Sequence, residues 1–473
     1  MEFSTLTEAQ VAKIHEKSCR VLSEIGSVVD HEGARKLLGD AGATVDGKRV
    51  YIPESLVNKA IKSAPGHFEL YDRHEKLSMS LGEYHAYFGT GSDTLGLIDF
   101  KTGERKKWTK KDIEKGILLC DYLENIDFIM SLGIISDVDI NLNTREQYAA
   151  MIRNSSKPQV VVCDDVNDFN DIVLMAAAAR GSLDNLKKKP LFILYCEPSS
   201  PLVNSFHAVD NLLTSAEYGI PVNYATGGMS GGTTPITAEG TILLSNAECL
   251  LGLVLHQLKN PGAPFLYGFG NAPLDLRTMQ SVYASPIAMQ VQGGMCDLSR
   301  FYDLPSWGEA GCSSSKVCDE QSAVEAAHFI LMAQLQGCNV THDVGYLDFG
   351  LSYSYEHLFV CNEIIGRARA TLKELTDDEF VLGYEAIKRV GHGGNYLADQ
   401  HTVDNMRQAW SGGLSDYRSF DNWKSDGGKT MGQRAHQKVM SVLSEHKPDP
   451  LLEEVDRKIG QILEDASKKF GSK

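Results

Sequence analysis

From residue 84 onward the chain repeats one pattern, a short apolar or β-branched run followed by a longer stretch with helical spacing. The runs are residues 85–89, 128–135, 159–163, 191–196, 221–225, 264–269, 304–309 and 339–343. Strands that are apolar along their whole length belong in a parallel sheet covered on both faces. Parallel neighbours in turn require a crossover helix between them. Eight such units close a (β/α)8 TIM barrel, an α/β fold. The first run is the least constrained, because it also fits a hairpin with the nearby TLGLIDF. Helix starts are marked by Thr109 with Asp112, Thr144 with Gln147, and Thr237 before Ala238-Glu239. An open doubly wound sheet is the competing architecture, but no GxGxxG turn follows the first strand.

A chain of 473 residues exceeds a barrel of roughly 250, so segments must be appended to it. Residues 1–83 read as an N-terminal helical cap, residues 84–355 as the barrel and residues 356–473 as a C-terminal helical extension. In the cap, Val11, Ile14, Val21, Leu22 and Ile25 share one face of a helix over 8–26. A second helix runs near Glu32–Asp40, a hairpin turns on Asp46-Gly47, and IPESLVNKAIKSAP gives another helix. In the extension, Thr376 to Glu379 reads as a capping box, and a last helix runs over 451–470.

The net charge of −16 argues against wrapping nucleic acid or resting on an anionic membrane. The longest apolar runs, IVLMAAAA from Ile172 and CLLGLVL from Cys249, are too short to span a bilayer. Residues 1–26 carry charges throughout, unlike a signal peptide. The ten cysteines show no CxxC and read mostly as reduced core thiols, which points to the cytoplasm.

In a barrel, chemistry gathers where strands end and loops begin. Those positions hold Tyr87, Phe88 and Asp93; Tyr195, Cys196 and Glu197; Tyr224; Tyr267, Phe269 and Asn271; Trp307 and Glu309; then His342, Asp343, Tyr346 and Phe349. Recurring aromatics with carboxylates among them suit a desolvated cation, since an aromatic face attracts a quaternary ammonium by roughly 0.5–2 kcal/mol. Aromatics at strand ends are equally at home in a core. His342 and Asp343, as neighbours in an extended segment, point to opposite sides and form no dyad. His342 suits either a donor to a substrate carboxylate or a satisfied structural histidine. The glycine-rich TGGMSGGTTP is not a Walker A sequence, and neither HExxH, zinc-type Cys/His spacing nor GxSxG occurs, so no metal site is expected.

Three segments then carry a family resemblance: GTGSDTLGLIDFKTGERKKWTKKD, GYLDFGLSYSYEHLFVCNEII, and GHGGNYLADQHTVDNMRQAW with SFDNWKSDGGKTMGQRA. Across nearly its whole length the chain resembles the MttB-type trimethylamine methyltransferase superfamily, in particular the members that lack pyrrolysine. Phe349 stands where the match places that residue in the archaeal trimethylamine enzymes. The resemblance implies a barrel that passes one methyl from a betaine-type quaternary amine to Co(I) of a corrinoid. Such betaines are glycine betaine, proline betaine, carnitine and γ-butyrobetaine. The corrinoid (cobalamin) is carried by a separate partner protein, with none bound covalently. A homo-oligomer is expected. His342 is assigned to the substrate carboxylate, and Asp93 to the ammonium or to orienting His342. Tyr87, Tyr195, Trp307, Tyr346 and Phe349 are assigned to the substrate wall, with few carboxylates in contact with the ammonium. The alternatives are a methyltransferase for another methylated amine or a sulfonium, and a non-catalytic betaine-binding or corrinoid-protein docking component.

Overall fold

The computed structural model describes residues 3–471. At its centre, strands Tyr87–Phe88, Val340–His342, Ser306–Glu309, Phe265–Gly268, Val222–Tyr224, Phe192–Cys196 and Gln159–Val162 lie side by side, every pair parallel. The two edges of this curled sheet are joined by residues 128 and 129. Phe128 bridges Gly89 and Ile129 bridges Gln159, both in parallel. The ring is therefore the (β/α)8 barrel expected from the alternating runs. The second run, 128–135, does not form one strand: Leu132 takes a φ of +69° and bends it, leaving isolated bridges at 128, 129, 133 and 135. The first run is a barrel strand and not a hairpin partner of TLGLIDF. Gly96–Ile98, from that segment, pairs instead with Arg105–Lys106 and Ser352–Tyr353.

The barrel interior is filled by Phe128, Met130, Val160, Ile193, Leu266, Trp307 and Val340. Phe68, Leu70, Met79 and Leu81 join this cluster from the hairpin Phe68–Tyr71 and Leu77–Leu81, which sits under the N-terminal ends of the strands. The Tyr71 N–H donates to the Pro190 carbonyl and the Arg73 N–H to that of Ser156, both just before a barrel strand. The bottom of the barrel is thus plugged by apolar side chains, as burial of a strand-end opening requires.

The N-terminal segment is not purely helical. Thr7 caps helix Glu8–Arg20, a π turn Val21–Ile25 ends it, and helices Glu32–Asp40 and Glu54–Ser63 follow. Strand Ser27–Val29 pairs antiparallel with Arg49–Tyr51 and parallel with Val203–Asn204 beyond the fourth barrel position. The β-branched Val28 and Val29 supply the pairing that periodicity alone did not reveal. Helix Ala238–Lys259 contains the CLLGLVL run and is long and apolar enough to cross a membrane by length and composition. It lies inside the molecule, 72% of its most apolar window buried, against helices Glu8–Arg20, Glu54–Ser63, Phe206–Tyr218 and Pro286–Phe301. Thr237 and Thr109 cap their helices as expected, whereas Thr144 falls inside helix Asn143–Asn154.

Helix Tyr355–Thr371, capped by Ser354, follows the last barrel strand. The four-residue helix Glu379–Leu382 is capped by Asp378 and not by Thr376, because the Asp378 carboxylate accepts from the N–H groups of Phe380 and Val381. Met431–Glu445 returns along Tyr355–Thr371, and Glu453–Phe470 packs on Val166–Arg180. All ten cysteines are free thiols, each buried apart from the half-buried Cys318.

Candidate active site

A cavity of about 350 Å³ opens at the C-terminal end of the ring. Strand ends and loops from around the barrel line it: Asp93 after the first strand, Tyr195 and Glu197 from the fourth, Met229 after the fifth, Asn271 and Tyr283 after the sixth, Glu309 from the seventh, and His342, Asp343 and Tyr346 from the eighth. Three tyrosines and the methionines Met130 and Met229 make the apolar wall, and no lysine or arginine among the described residues lines it.

Four carboxylates face this space: Asp93, Glu197, Glu309 and Asp343. Burial, which disfavours the charged form, is the first cause of a raised pKa at each. Glu197 is pushed up to about 7 by burial, and the Asp93 and Asp343 charges add to this against a hydrogen bond from Tyr195. Glu309 is held well above the usual range by burial and then by Asp343. Asp343 is raised by burial and eased back by His342 and Tyr346, and Asp93 is raised by burial against a 2.7 Å bond from Ser92 Oγ. Asp93 and Glu197 are open to the cavity yet enclosed by protein elsewhere. Acids at four strand ends therefore converge on one cavity, because the barrel directs every strand end to one mouth.

His342 and Asp343 also depart from expectation. Asp343 adopts a φ of +74°, so the chain no longer alternates, and its Oδ1 lies 3.3 Å from His342 Nε2. His342 Nδ1 is 2.7 Å from the Gly308 carbonyl, and its ring packs on Trp307 at 4.3 Å between centroids. Both ring nitrogens are thus engaged within the protein. A Cβ at Gly91 would overlap the Tyr346 hydroxyl and the Asp343 carboxylate, so glycine is what lets that loop approach.

The structure brings Asp93, Tyr195, His342 and Tyr346 together around the cavity. Trp307 is fully buried beneath it, against His342 and 5.4 Å from the Tyr195 ring. Tyr87 lies at the opposite end, packed on the apolar plug with its hydroxyl accepting from the Ser80 N–H. The Phe349 ring does not line the cavity. It lies under Lys316, whose Nζ is 4.0 Å from its centroid, and the next residue, Gly350, reaches the lining. Tyr283, Met130, Met229, Ser92 and Ser281 line the cavity without having been singled out in the sequence. Tyr283 comes from far along the loop after the sixth strand, and its one signal was that loop's length. No cluster of three or more His, Cys, Asp or Glu among the described residues is arranged to hold a metal ion.

The family model described as Trimethylamine methyltransferase (MTTB) matches residues 1–470. The chain is 30% identical over 467 residues to the trimethylamine methyltransferase MttB of Desulfitobacterium hafniense (strain DSM 10664 / DCB-2), covering 98% of this chain and 94% of that one. It is 31% identical over 477 residues to the glycine betaine methyltransferase of Desulfitobacterium hafniense (strain Y51), covering 99% and 98%. Among solved structures, the monomethylamine methyltransferase (MtmB) of Methanosarcina barkeri superposes with a TM-score of 0.54 at 14% identity, covering 99% of this chain and 88% of that one, which shows the fold. A barrel with a polar, tyrosine-walled cavity at its mouth, matched along almost its entire length, is thus a methyl-transferring enzyme that belongs to the trimethylamine methyltransferase (MTTB) family.

Proposed function

We propose that the enzyme takes one methyl group from a betaine-type quaternary amine and delivers it to the reduced cobalt of a separate corrinoid protein. The observation that carries this reading is the cavity lining: three tyrosines, two methionines and four carboxylates, with no lysine or arginine. Such a lining attracts a small cation and needs no N–H from it. A quaternary nitrogen already carries the charge that lets a neutral tertiary amine leave. The reduced corrinoid of the partner supplies the nucleophile. At about 350 Å³ the cavity is too small to enclose a complete corrinoid, which fits a cofactor that stays on the partner and meets the methyl at the mouth.

The chain's own residues strip water from the ammonium, hold its other end and aim one methyl outward. Ionised carboxylates favour the bound cation more than the transition state, in which that charge is fading. Burial offsets this by drawing Glu197, Glu309, Asp93 and Asp343 toward the neutral form. His342, with both nitrogens engaged, acts with Trp307 as a fixed floor. A carboxylate-free quaternary amine is the second reading, favoured by the absence of lining lysine or arginine. A cytoplasmic homo-oligomer belongs to the same proposal. It is supported by the exposed Leu375, Phe380, Tyr384, Leu397, Tyr417 and Phe420 on the segment between helices Tyr355–Thr371 and Met431–Glu445.

The test is anaerobic incubation with cob(I)alamin and glycine betaine, proline betaine, carnitine, γ-butyrobetaine, choline or tetramethylammonium. The expected result is one methyl lost from a betaine, with the tertiary amine seen by NMR. Demethylation of choline or tetramethylammonium alone establishes the second reading. Binding without demethylation of any of them overturns the reaction.

A further inference from the structure

The cavity wall contains a buried donor with nothing to donate to. Asn271 is 3% exposed and lines the cavity, yet its Nδ2 has no hydrogen-bond partner among the described residues. An amide left in this state costs roughly 1–3 kcal/mol, which a ligand oxygen would offset.

The residue's orientation is fixed from behind. Ser230 Oγ donates to Asn271 Oδ1 at 2.9 Å, and Ser230 Oγ lies 2.8 Å from Thr241 Oγ1, which lies 2.8 Å from Thr234 Oγ1. An amide oxygen can only accept, so the Ser230 proton goes to Asn271 Oδ1, while the Thr241 hydroxyl has the Pro235 carbonyl at 2.8 Å for its own. The backbone is pinned as well, because Gly270–Asn271 pairs in parallel with Gly227–Gly228 and the Asn271 N–H reaches the Glu309 carboxyl. With Oδ1 and the main chain committed, Nδ2 is what the residue presents to the cavity.

A cation gains nothing from an amide donor, so this group is matched to a different part of the ligand. We propose that Asn271 Nδ2 is the anion-recognising donor of the cavity and takes the carboxylate of a zwitterionic quaternary amine; this rests on the function proposed above. Asn271 follows the sixth barrel strand and Asp93 the first, three places round the ring, so the two ends of such a substrate meet different walls. The neighbouring Glu309 is buried, which pushes its carboxyl toward the neutral form and lessens the charge set against that carboxylate.

The experiment is equilibrium calorimetric titration of the wild-type enzyme and Asn271→Asp with glycine betaine and with tetramethylammonium, which has no carboxylate. Asparagine to aspartate keeps the shape and replaces the donor by an acceptor. Glycine betaine affinity is expected to fall by about tenfold or more, as for loss of a hydrogen bond to a charged group, while tetramethylammonium changes by less than about twofold or binds tighter. Equal losses for both ligands in a folded variant, an unchanged affinity for glycine betaine, or no binding of glycine betaine by the wild type each overturn the proposal. If Asn271→Asp does not fold, Ser230→Ala decides, because it frees the amide to turn and should weaken glycine betaine alone by several-fold; no selective loss overturns the assignment. Selective binding without methyl transfer would sink the reaction and leave the subsite standing. Methyl transfer from glycine betaine at undiminished affinity in Asn271→Asp would do the reverse.

Discussion

Asp343 carries a backbone φ of +74°, a conformation that costs a non-glycine residue about 1–3 kcal/mol. Its return is a carboxylate beside His342 on the cavity floor, where an extended residue would have pointed away. That is why the dyad was illegible in the sequence: alternation was the right rule for a strand, and the strand ends at His342. Among the acids, Glu197 offers the clearest titration, since burial brings its pKa to about 7. It is ionised above that pH, and the ionised form attracts a cation. Tetramethylammonium affinity is therefore expected to rise as pH goes from 6 to 8, and Glu197→Gln to flatten the rise, as read by titration across that range. An affinity that falls with pH in the wild type would contradict the assignment.

Among the elements, parity decides which strand-end aromatics serve the cavity. Tyr195 faces inward, whereas Tyr224 and Tyr267 face outward and donate to Asn204 Oδ1 on strand Val203–Asn204 and to Asn246 Oδ1 on helix Ala238–Lys259. The runs of Val, Ile and Leu were legible because parallel strands are buried on both faces; for the same reason they give no hint of which face a given tyrosine takes. The second run was misread because nothing in SLGII announces the left-handed Leu132. Between helices, Arg145 on Asn143–Asn154 is 2% exposed, pairs with Asp168 and with Asp171 at 2.6 Å, and lies 4.6 Å over the Phe470 ring of the last helix. Arg145→Ala would leave two acids facing a hole, so a loss of about 3–5 kcal/mol is expected in urea unfolding. A loss below about 1 kcal/mol would show that the C-terminal helix does not depend on that junction.

For the whole molecule, the barrel was readable from its alternation, and with it the strand-end positions of Asp93, Glu197, Glu309 and Asp343; that all four side chains face one cavity was not, since facing is decided by ring closure and local backbone turns. The hairpin under the strands has a kinetic meaning. With Phe68, Leu70, Met79 and Leu81 stopping the far end, the barrel is a tube with one door, so whatever enters at the mouth must leave there. Under the proposed reaction, the acceptor protein sits across the same doorway. Its departure then has to precede that of the demethylated amine, and the enzyme works as a one-lane passage in which the last to enter is the first out. Initial-rate studies should show the amine as the second product released, competitive with the methylated substrate, while the methylated acceptor inhibits noncompetitively.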